Sequence, residues 1–412
     1  MPQLKKNNPS VLSVLIMVIF IDSIGLSMVY SLLAPLFGSS SNGILPGSIS
    51  PSTRHLLYGF CMGIYPVMMF FGSPIFGSLS DQLGRKKILL FCLYGEAIGM
   101  GLSALSINVG SVPLLMVGRA FSGLMAASLP IAQATILDIS APKNKIINIG
   151  VITFSNTLGF VVGPLIGGYL ADKHLVPWFS LSTPFYFTAL MALLSAVILM
   201  VALKEKVVCK TFKVVRMLRG MTSLFSILRN PAIRNISIIY FFSVLGWLTY
   251  IQFISFYLAA IHQYSPTQLG HFISWIALMM SVSMLLIVRL LIKIFRPHQI
   301  FFVALVMAIL GIIVAFNQTI PSLWVGAILI AFGVGLSYSA VLTLYSDFTD
   351  STQQGQVMGV ASSIAALAGG IAGLLNGVLL AVSYESSFMA IALVWSVALL
   401  LFIFRARFFE HH

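Results

Sequence analysis

Charge is the scarcest property of this chain. Asp, Glu, Lys and Arg make up 8% of its 412 residues, and only ten of them are acidic. An ordinary soluble protein carries about three times that share, so a conventional water-facing surface is excluded. Cysteine is scarcer still: of three, Cys61 and Cys92 fall in apolar runs and Cys209 in a basic stretch, which excludes a disulfide framework and makes free thiols the expectation. No His, Cys, Asp or Glu cluster has metal-ligand spacing, no glycine-rich phosphate loop is present, and no nucleophile stands beside a base. These absences argue against a metalloenzyme, an ATP-driven pump and a hydrolase. We expect no enzymatic activity, no metal and no cofactor.

What is abundant is apolar. Hydrophobic residues account for 59% of the chain, and the mean hydropathy is +1.02. Runs long enough to cross a bilayer recur at 11–37, 54–80, 87–107, 112–137, 145–171 and 181–203, then at 235–260, 268–292, 298–317, 321–345, 355–381 and 385–404. The expectation is an all-α membrane protein of twelve transmembrane helices with both ends on one side. The first run is long and continues into a spanning segment, so no cleavable signal peptide is expected.

The net charge of +13 would suit nucleic acid by number alone. Its placement argues otherwise. Arg85, Lys86 and Lys87, then Lys143 and Lys145, then Arg289, Lys293 and Arg296 sit in loops on one side, with Lys5, Lys6, Arg405 and Arg407 at the termini. The opposite loops hold only Arg54 and Lys173. This is the positive-inside pattern, and it puts both termini in the cytoplasm. Partners are then a lipid bilayer and a small molecule, not nucleic acid.

The basic stretch 204–234 is the one long polar interruption and reads as a linker between halves at 1–203 and 235–412. A weak internal repeat agrees: Asp138, Gly150, Leu158, Leu165 and Gly168 align without gaps on Asp347, Gly359, Leu367, Leu374 and Gly377, an offset of 209 residues.

Three ionisable side chains fall at membrane depth. At about 1.5 Å rise per residue, Asp22 lies roughly 16 Å and Glu96 roughly 14 Å from the cytoplasmic ends of their spans, and Arg119 roughly 10 Å below the outer surface. The three are expected to meet near the midplane, either to couple protons or substrate or as a static network that fixes helix packing. Arg119, Gly123, Ala126, Pro130 and Gln133 would share one face of the fourth span, and Glu96, Gly99 and Ser103 one face of the third. A candidate substrate cavity draws on Gln133, Asn156, Trp247, Tyr250, Gln252, Tyr338 and Asn376, with Tyr257 and Trp275 beside them. The aromatic members read equally as interface anchors. His271, near the outer end of the eighth span, reads as interfacial.

Three motifs carry a family resemblance. Residues 77–87 read GSLSDQLGRKK. This resembles the loop between helices 2 and 3 of the major facilitator superfamily, G-x-L-x-D-x-x-G-R followed by two basic residues. Arg119-Ala-Phe-Ser-Gly123 looks like the superfamily's span-4 motif R-x-x-x-G, whose arginine is associated there with proton transfer. Gly159-Phe-Val-Val-Gly163-Pro164-Leu-Ile-Gly167-Gly168 matches the motif associated with its antiporters. The first span, Phe20-Ile21-Asp22-Ser23-Ile24-Gly25-Leu26 through Leu33-Ala34-Pro35, is similar to that of tetracycline exporters and other twelve-helix drug/proton antiporters. That likeness runs through most of the first half and fades in the second.

The resemblance implies two six-helix bundles around a cavity open alternately to each side. It implies a monomer of a bacterial inner membrane that exports a small amphipathic compound against a proton gradient. Asp22 and Glu96 would carry protons beside Arg119. Gly77, Asp81, Gly84, Arg85, Lys86 and Asp138 would form a cytoplasmic gate that latches the halves, with Asp81 facing the start of span 11. Export or uptake of a specific metabolite such as a siderophore is the alternative. A transport-dead membrane sensor is a further one, but neither a large soluble domain nor a loss of the cavity charges marks it here.

Overall fold

A computed structural model of the chain describes residues 9–38, 43–140, 144–203, 228–349 and 354–405. Most of the basic stretch, Lys143, Cys209 and the terminal charges Lys5, Lys6 and Arg407 lie outside the described residues. Among the described residues the structure is helical, without strands. Its helices are α1 (Pro9–Gly38), α2 (Pro51–Leu83), α3 (Arg85–Val109), α4 (Val112–Met125), α5 (Ser128–Ile139), α6 (Lys145–Leu170) and α7 (Thr183–Ala202). They continue with α8 (Pro231–Ala260), α9 (Pro266–Val282), α10 (Val288–Leu291), α11 (Pro297–Ala315), α12 (Ile320–Asp347), α13 (Gln354–Val382) and α14 (Tyr384–Arg405). A π turn at Ser283–Ile287 joins α9 to α10. Together they make twelve spans long and apolar enough to cross a membrane, close to the runs expected from sequence.

Apolar side chains fill the interior and also cover much of the surface. Val201, Val382, Leu393 and Phe404 stand exposed, while Ser23, Ser27, Ser31, Gln252 and Asn376 are buried. A lipid-facing surface asks for this, because hydrocarbon accepts leucine and offers a hydroxyl nothing.

By contacts the chain divides into two compact units: Met1–Ile49, Ile64–Met221 and Leu258–Ser274 in the first, and Ser50–Gly63, Thr222–Tyr257 and Trp275–His412 in the second. Each unit therefore includes a segment from the other sequence half. Helix α2 passes from the second unit to the first between Gly63 and Ile64.

In the first unit two seams matter. Along α1, Ser23, Ser27 and Ser31 recur every fourth residue and so face one way. Asn156 of α6 donates to the Ser23 hydroxyl at 2.9 Å; Ser27 and Ser31 donate within α1, to the Ser23 and Met28 carbonyls at 2.8 Å each, and their hydroxyls lie 3.2 and 3.4 Å from the Gly159 and Pro164 carbonyls of α6. The other seam joins α3 to α4. A Cβ on Gly118 would lie 2.8 Å from Ser103 N and 2.9 Å from Gly99 O, so the two backbones touch there. Beneath both seams lies an aliphatic core that includes Leu15, Ile19, Leu89, Leu93, Ile131, Ile136 and Leu199.

In the second unit, α11 and α12 meet backbone to backbone at Gly311 and Gly326. Trp395 of α14 is fully buried against Gly246 of α8, and its indole donates to the Ser243 carbonyl at 3.1 Å.

The fourth span departs from expectation. It is not one helix but α4 and α5, interrupted at Ala126–Ala127, where Ala126 has ψ 32° and its N–H bonds back only to Gly123. The cause is local. Pro130 has no N–H to give the Ala126 carbonyl, and Ser73 of α2 reaches that carbonyl instead at 3.5 Å. The single face expected to run from Arg119 through Gln133 is therefore broken in the middle.

Gly118→Val is expected to destabilise the first unit by about 1–3 kcal/mol through forced backbone displacement. Gly101→Val, on the same helix pair but with nothing within 4 Å of its Cβ position, is expected to be tolerated. Thermal unfolding of the two purified variants in detergent checks the contrast.

Candidate functional site

The serine seam fixes the rotation of α1, and with it the direction in which Asp22 points. Asp22 is 8% exposed and Glu96 on α3 is 3% exposed. They line one small cavity with Leu26, Tyr65, Met69, Ala126, Ser128 and Leu129. Its volume of about 20 Å³ holds roughly one water molecule. Ser128, the first residue of α5, donates to Glu96 Oε2 at 3.5 Å. Both Asp22 oxygens are buried without a hydrogen bond of ordinary length, and their polar neighbours are Ser128 and Glu96. The interruption of the fourth span is what brings Ser128 to this point.

Arg119 is equally buried, and its guanidinium lies over the ring of Tyr65, 4.5 Å from the centroid. Tyr65 lies within electrostatic reach of Glu96, Arg119, Asp22 and Tyr30. The depth argument foresaw three charges converging. The structure brings the two acids together and joins the arginine to them through an aromatic ring. Sequence reasoning missed Tyr65 and Ser128. Nothing in the sequence marks Tyr65, and Pro130 alone does not distinguish a helix start near Ser128 from a proline that neighbouring side chains absorb.

The loop between α2 and α3 turns at Gly84, whose φ of 106° suits only glycine. The turn aims Arg85 at three partners: Asp81 at 2.8 Å, Asp138 of α5 at 3.2 Å and the Ser80 hydroxyl at 3.0 Å. Lys86 donates to the Met200 carbonyl of α7 at 2.6 Å. A Cβ at Gly77 would meet open space, so packing in this conformation does not demand glycine there.

The glycine motif of α6 has two faces. Gly159, Gly163 and Gly167 lie against α1, at Ser23, Ser27 and Met28, and Gly168 lies against Pro266 and Thr267 of α9. Pro164 sits where the Ser31 hydroxyl reaches its carbonyl. Beside Gly168, Thr267 donates to Asp172 at 3.0 Å, and Tyr169 shares a 2.8 Å hydrogen bond with His271. His271 thus has a specific partner on α6 beyond the interfacial place expected of it.

Of the cavity residues expected from sequence, Gln133 is half-buried on α5, and Asn156 belongs to the serine seam. In the second unit, Tyr250 is fully buried between Trp247 and Trp395, at ring distances of 6.3 and 6.4 Å. Asn376 donates to the Thr249 carbonyl at 3.1 Å and approaches the Gln252 side chain at 3.5 Å. Tyr338 is half-buried, and Trp275 is exposed.

Twelve spans long and apolar enough to cross a membrane make this a multi-pass membrane protein. A model of the Major Facilitator Superfamily matches residues 12–234 and 236–411, and the chain belongs to that superfamily. It is similar to the class H tetracycline resistance protein of Pasteurella multocida, 29% identical over 44% of this chain and 41% of the relative. That match spans less than half the relative's length. It is also similar to major facilitator superfamily domain-containing protein 10 of Mus musculus, 22% identical over 81% of this chain and 76% of the relative. The crystal structure of the human organic anion transporter MFSD10 shares the fold with a TM-score of 0.69 at 20% identity, covering 96% of this chain and 99% of that one. A bacterial homolog of the human lysosomal transporter Spinster, crystallised inward-facing and unoccupied, gives 0.77 at 17% identity over 97% and 98%. The chain is a transporter and not an enzyme.

The Arg85 cluster is exposed: the side chains of Asp81 and Asp138 are 60% and 47% accessible. Such pairs contribute about 0–1 kcal/mol. Arg85→Gln is therefore expected to change thermal stability by less than about 1 kcal/mol. A melting curve of the purified variant checks this, and a near-native curve means that any transport defect reports on function and not on folding.

Proposed function

We propose that this protein is a proton-coupled secondary transporter that exports a small amphipathic compound by alternating access. The observation that carries the reading is the buried Asp22–Glu96 pair around a cavity of one water's size. Two carboxylates held together away from water repel, and a proton or another small cation relieves that repulsion. Binding and release of that charge then differ in cost between conformations, which is what coupling requires. Arg119 supplies a fixed positive charge one ring away. The antiporter-type glycine motif on α6, and the likeness of the first half to tetracycline resistance proteins, favour export across a bacterial inner membrane with both termini in the cytoplasm. No cofactor beyond the proton gradient enters the reading.

A second reading, transport of a specific organic-anion metabolite in either direction, is favoured by the longer match to domain-containing protein 10, whose human form is described as an organic anion transporter. Growth inhibition by a compound panel with and without expression, paired with uptake and efflux of candidate metabolites, separates the two. In proteoliposomes, Asp22→Asn and Glu96→Gln are expected to lose transport driven by a pH gradient, by tenfold or more where about 1.4 kcal/mol of coupling is lost, while retaining substrate binding. Arg119→Ala is expected to lose more than Arg119→Lys, which keeps the charge without the planar fork. Full gradient-driven transport in both acid variants and in their double variant excludes the proton reading.

We assign the Arg85 cluster to the cytoplasmic gate. Asp81→Asn is then expected to leave topology intact, because acidic residues contribute little to orientation. It is expected to shift the equilibrium toward the inward-facing state by roughly five- to thirtyfold for a latch of about 1–2 kcal/mol. Disulfide crosslinking between cysteines placed on the cytoplasmic ends of the two halves reads this shift, and equal crosslinking rates with equal transport would remove the latch.

A further inference from the structure

The R-x-x-x-G motif of α4 presents both of its defining residues to one residue of α2. Arg119 lies over the ring of Tyr65. Gly123, one turn further along, meets the same residue's backbone: a Cβ there would overlap the Tyr65 carbonyl. Tyr65 is 5% exposed. It also lines the cavity of Asp22 and Glu96. Pro66 follows it directly and removes a backbone donor from α2 at that point. Helix α2 changes compact unit just before it, between Gly63 and Ile64.

We propose that Arg119 and Gly123 form a socket for Tyr65, and that Tyr65 is the positioning residue through which the arginine is set against the acidic pair. The glycine lets the α2 backbone come close enough for the ring to lie under the guanidinium. The guanidinium gains a cation–π contact in a site without bulk water, where such contacts are strongest. The same residue lines the cavity that Asp22 and Glu96 share. The field of Arg119 at Asp22 and Glu96 therefore depends on where Tyr65 sits. The titratable and charged groups gathered here are Asp22 and Tyr30 of α1, Tyr65 of α2, Cys92 and Glu96 of α3, and Arg119 of α4. The transport readout below rests on the proton reading of this site, and the stability readout does not.

Two measurements on the full chain test the socket. The first is a double-variant cycle of Tyr65→Leu and Arg119→Met in thermal unfolding of purified protein in detergent. If the residues act through each other, the double variant is no less stable than the worse single one. Independent effects that simply add overturn the socket. The second is the pH profile of transport in proteoliposomes. Tyr65→Leu is expected to lower gradient-driven transport by about two- to thirtyfold, the span of cation–π contacts from exposed to desolvated, and to displace the midpoint of the profile. Tyr65→Phe keeps the ring and is expected to recover most of what leucine loses. Gly123→Ala is expected to reproduce the leucine profile; if it does not fold, the Tyr65 pair still decides. A leucine variant with the wild-type midpoint overturns the positioning role even where the thermal cycle shows coupling. If wild type has no pH dependence, the proton reading fails instead, and the thermal cycle alone judges the socket.

Discussion

Hydrocarbon offers no hydrogen bonds, so every polar group carried into the membrane must find its partner within the protein. Most of this architecture follows from that constraint. Ser23, Ser27 and Ser31 of α1 survive at depth because each donates to a carbonyl of its own helix, with α6 carbonyls beside Ser27 and Ser31. The glycines of α6 let it come near enough for those contacts. The seam then fixes how α1 is turned, and Asp22, next in sequence to Ser23, is aimed at Glu96 as a consequence. An acid pair of this kind is expensive to hold. It persists because four neighbouring helices are locked around it by contacts that do not involve it.

The fourth span shows the same logic used in reverse. Pro130 takes away a donor, the helix opens at Ala126–Ala127, and the freed carbonyl turns to Ser73. What the break provides is a helix start at Ser128 inside the membrane, with its hydroxyl on Glu96. Irregular backbone at this depth is tolerated only where protein or a wet cavity surrounds it, and here it borders the one-water space between the acids.

The sequence made different levels of this structure legible to different degrees. The twelve spans could be read because length and apolarity are local properties. The meeting of Asp22 and Glu96 could be read because helix rise converts residue count to depth. The reach of Arg85 toward Asp138 came from a family pattern and not from spacing. What stayed hidden were contacts whose partners sit far apart in the chain and carry no distinctive chemistry. Tyr65 is one of 13 tyrosines, and only its placement under Arg119 distinguishes it. The serine ladder is visible in hindsight as a four-residue period, but an apolar span offers no reason to ask which way its hydroxyls face until α6 is in place. The helix break was misread for a different reason. Proline in a membrane span is often absorbed by neighbouring side chains, so Pro130 alone does not announce an interruption.

The energetic contrast between the two charged clusters bears on how a machine of this kind could work. The acids and Arg119 are buried, so their interactions are strong and their rearrangement costly. The Arg85 cluster is half in water, and its ion pairs are worth about 1 kcal/mol or less apiece. A gate belongs at the weak site. A latch that contributed many kcal/mol would hold one conformation against any gradient. One that contributes about 1–2 kcal/mol biases the conformers several-fold and can still be reversed by the binding of a single ligand or proton. On the proposed gating role, the exposed carboxylates of Asp81 and Asp138, poor contributors to stability, suit a contact that is made and broken repeatedly.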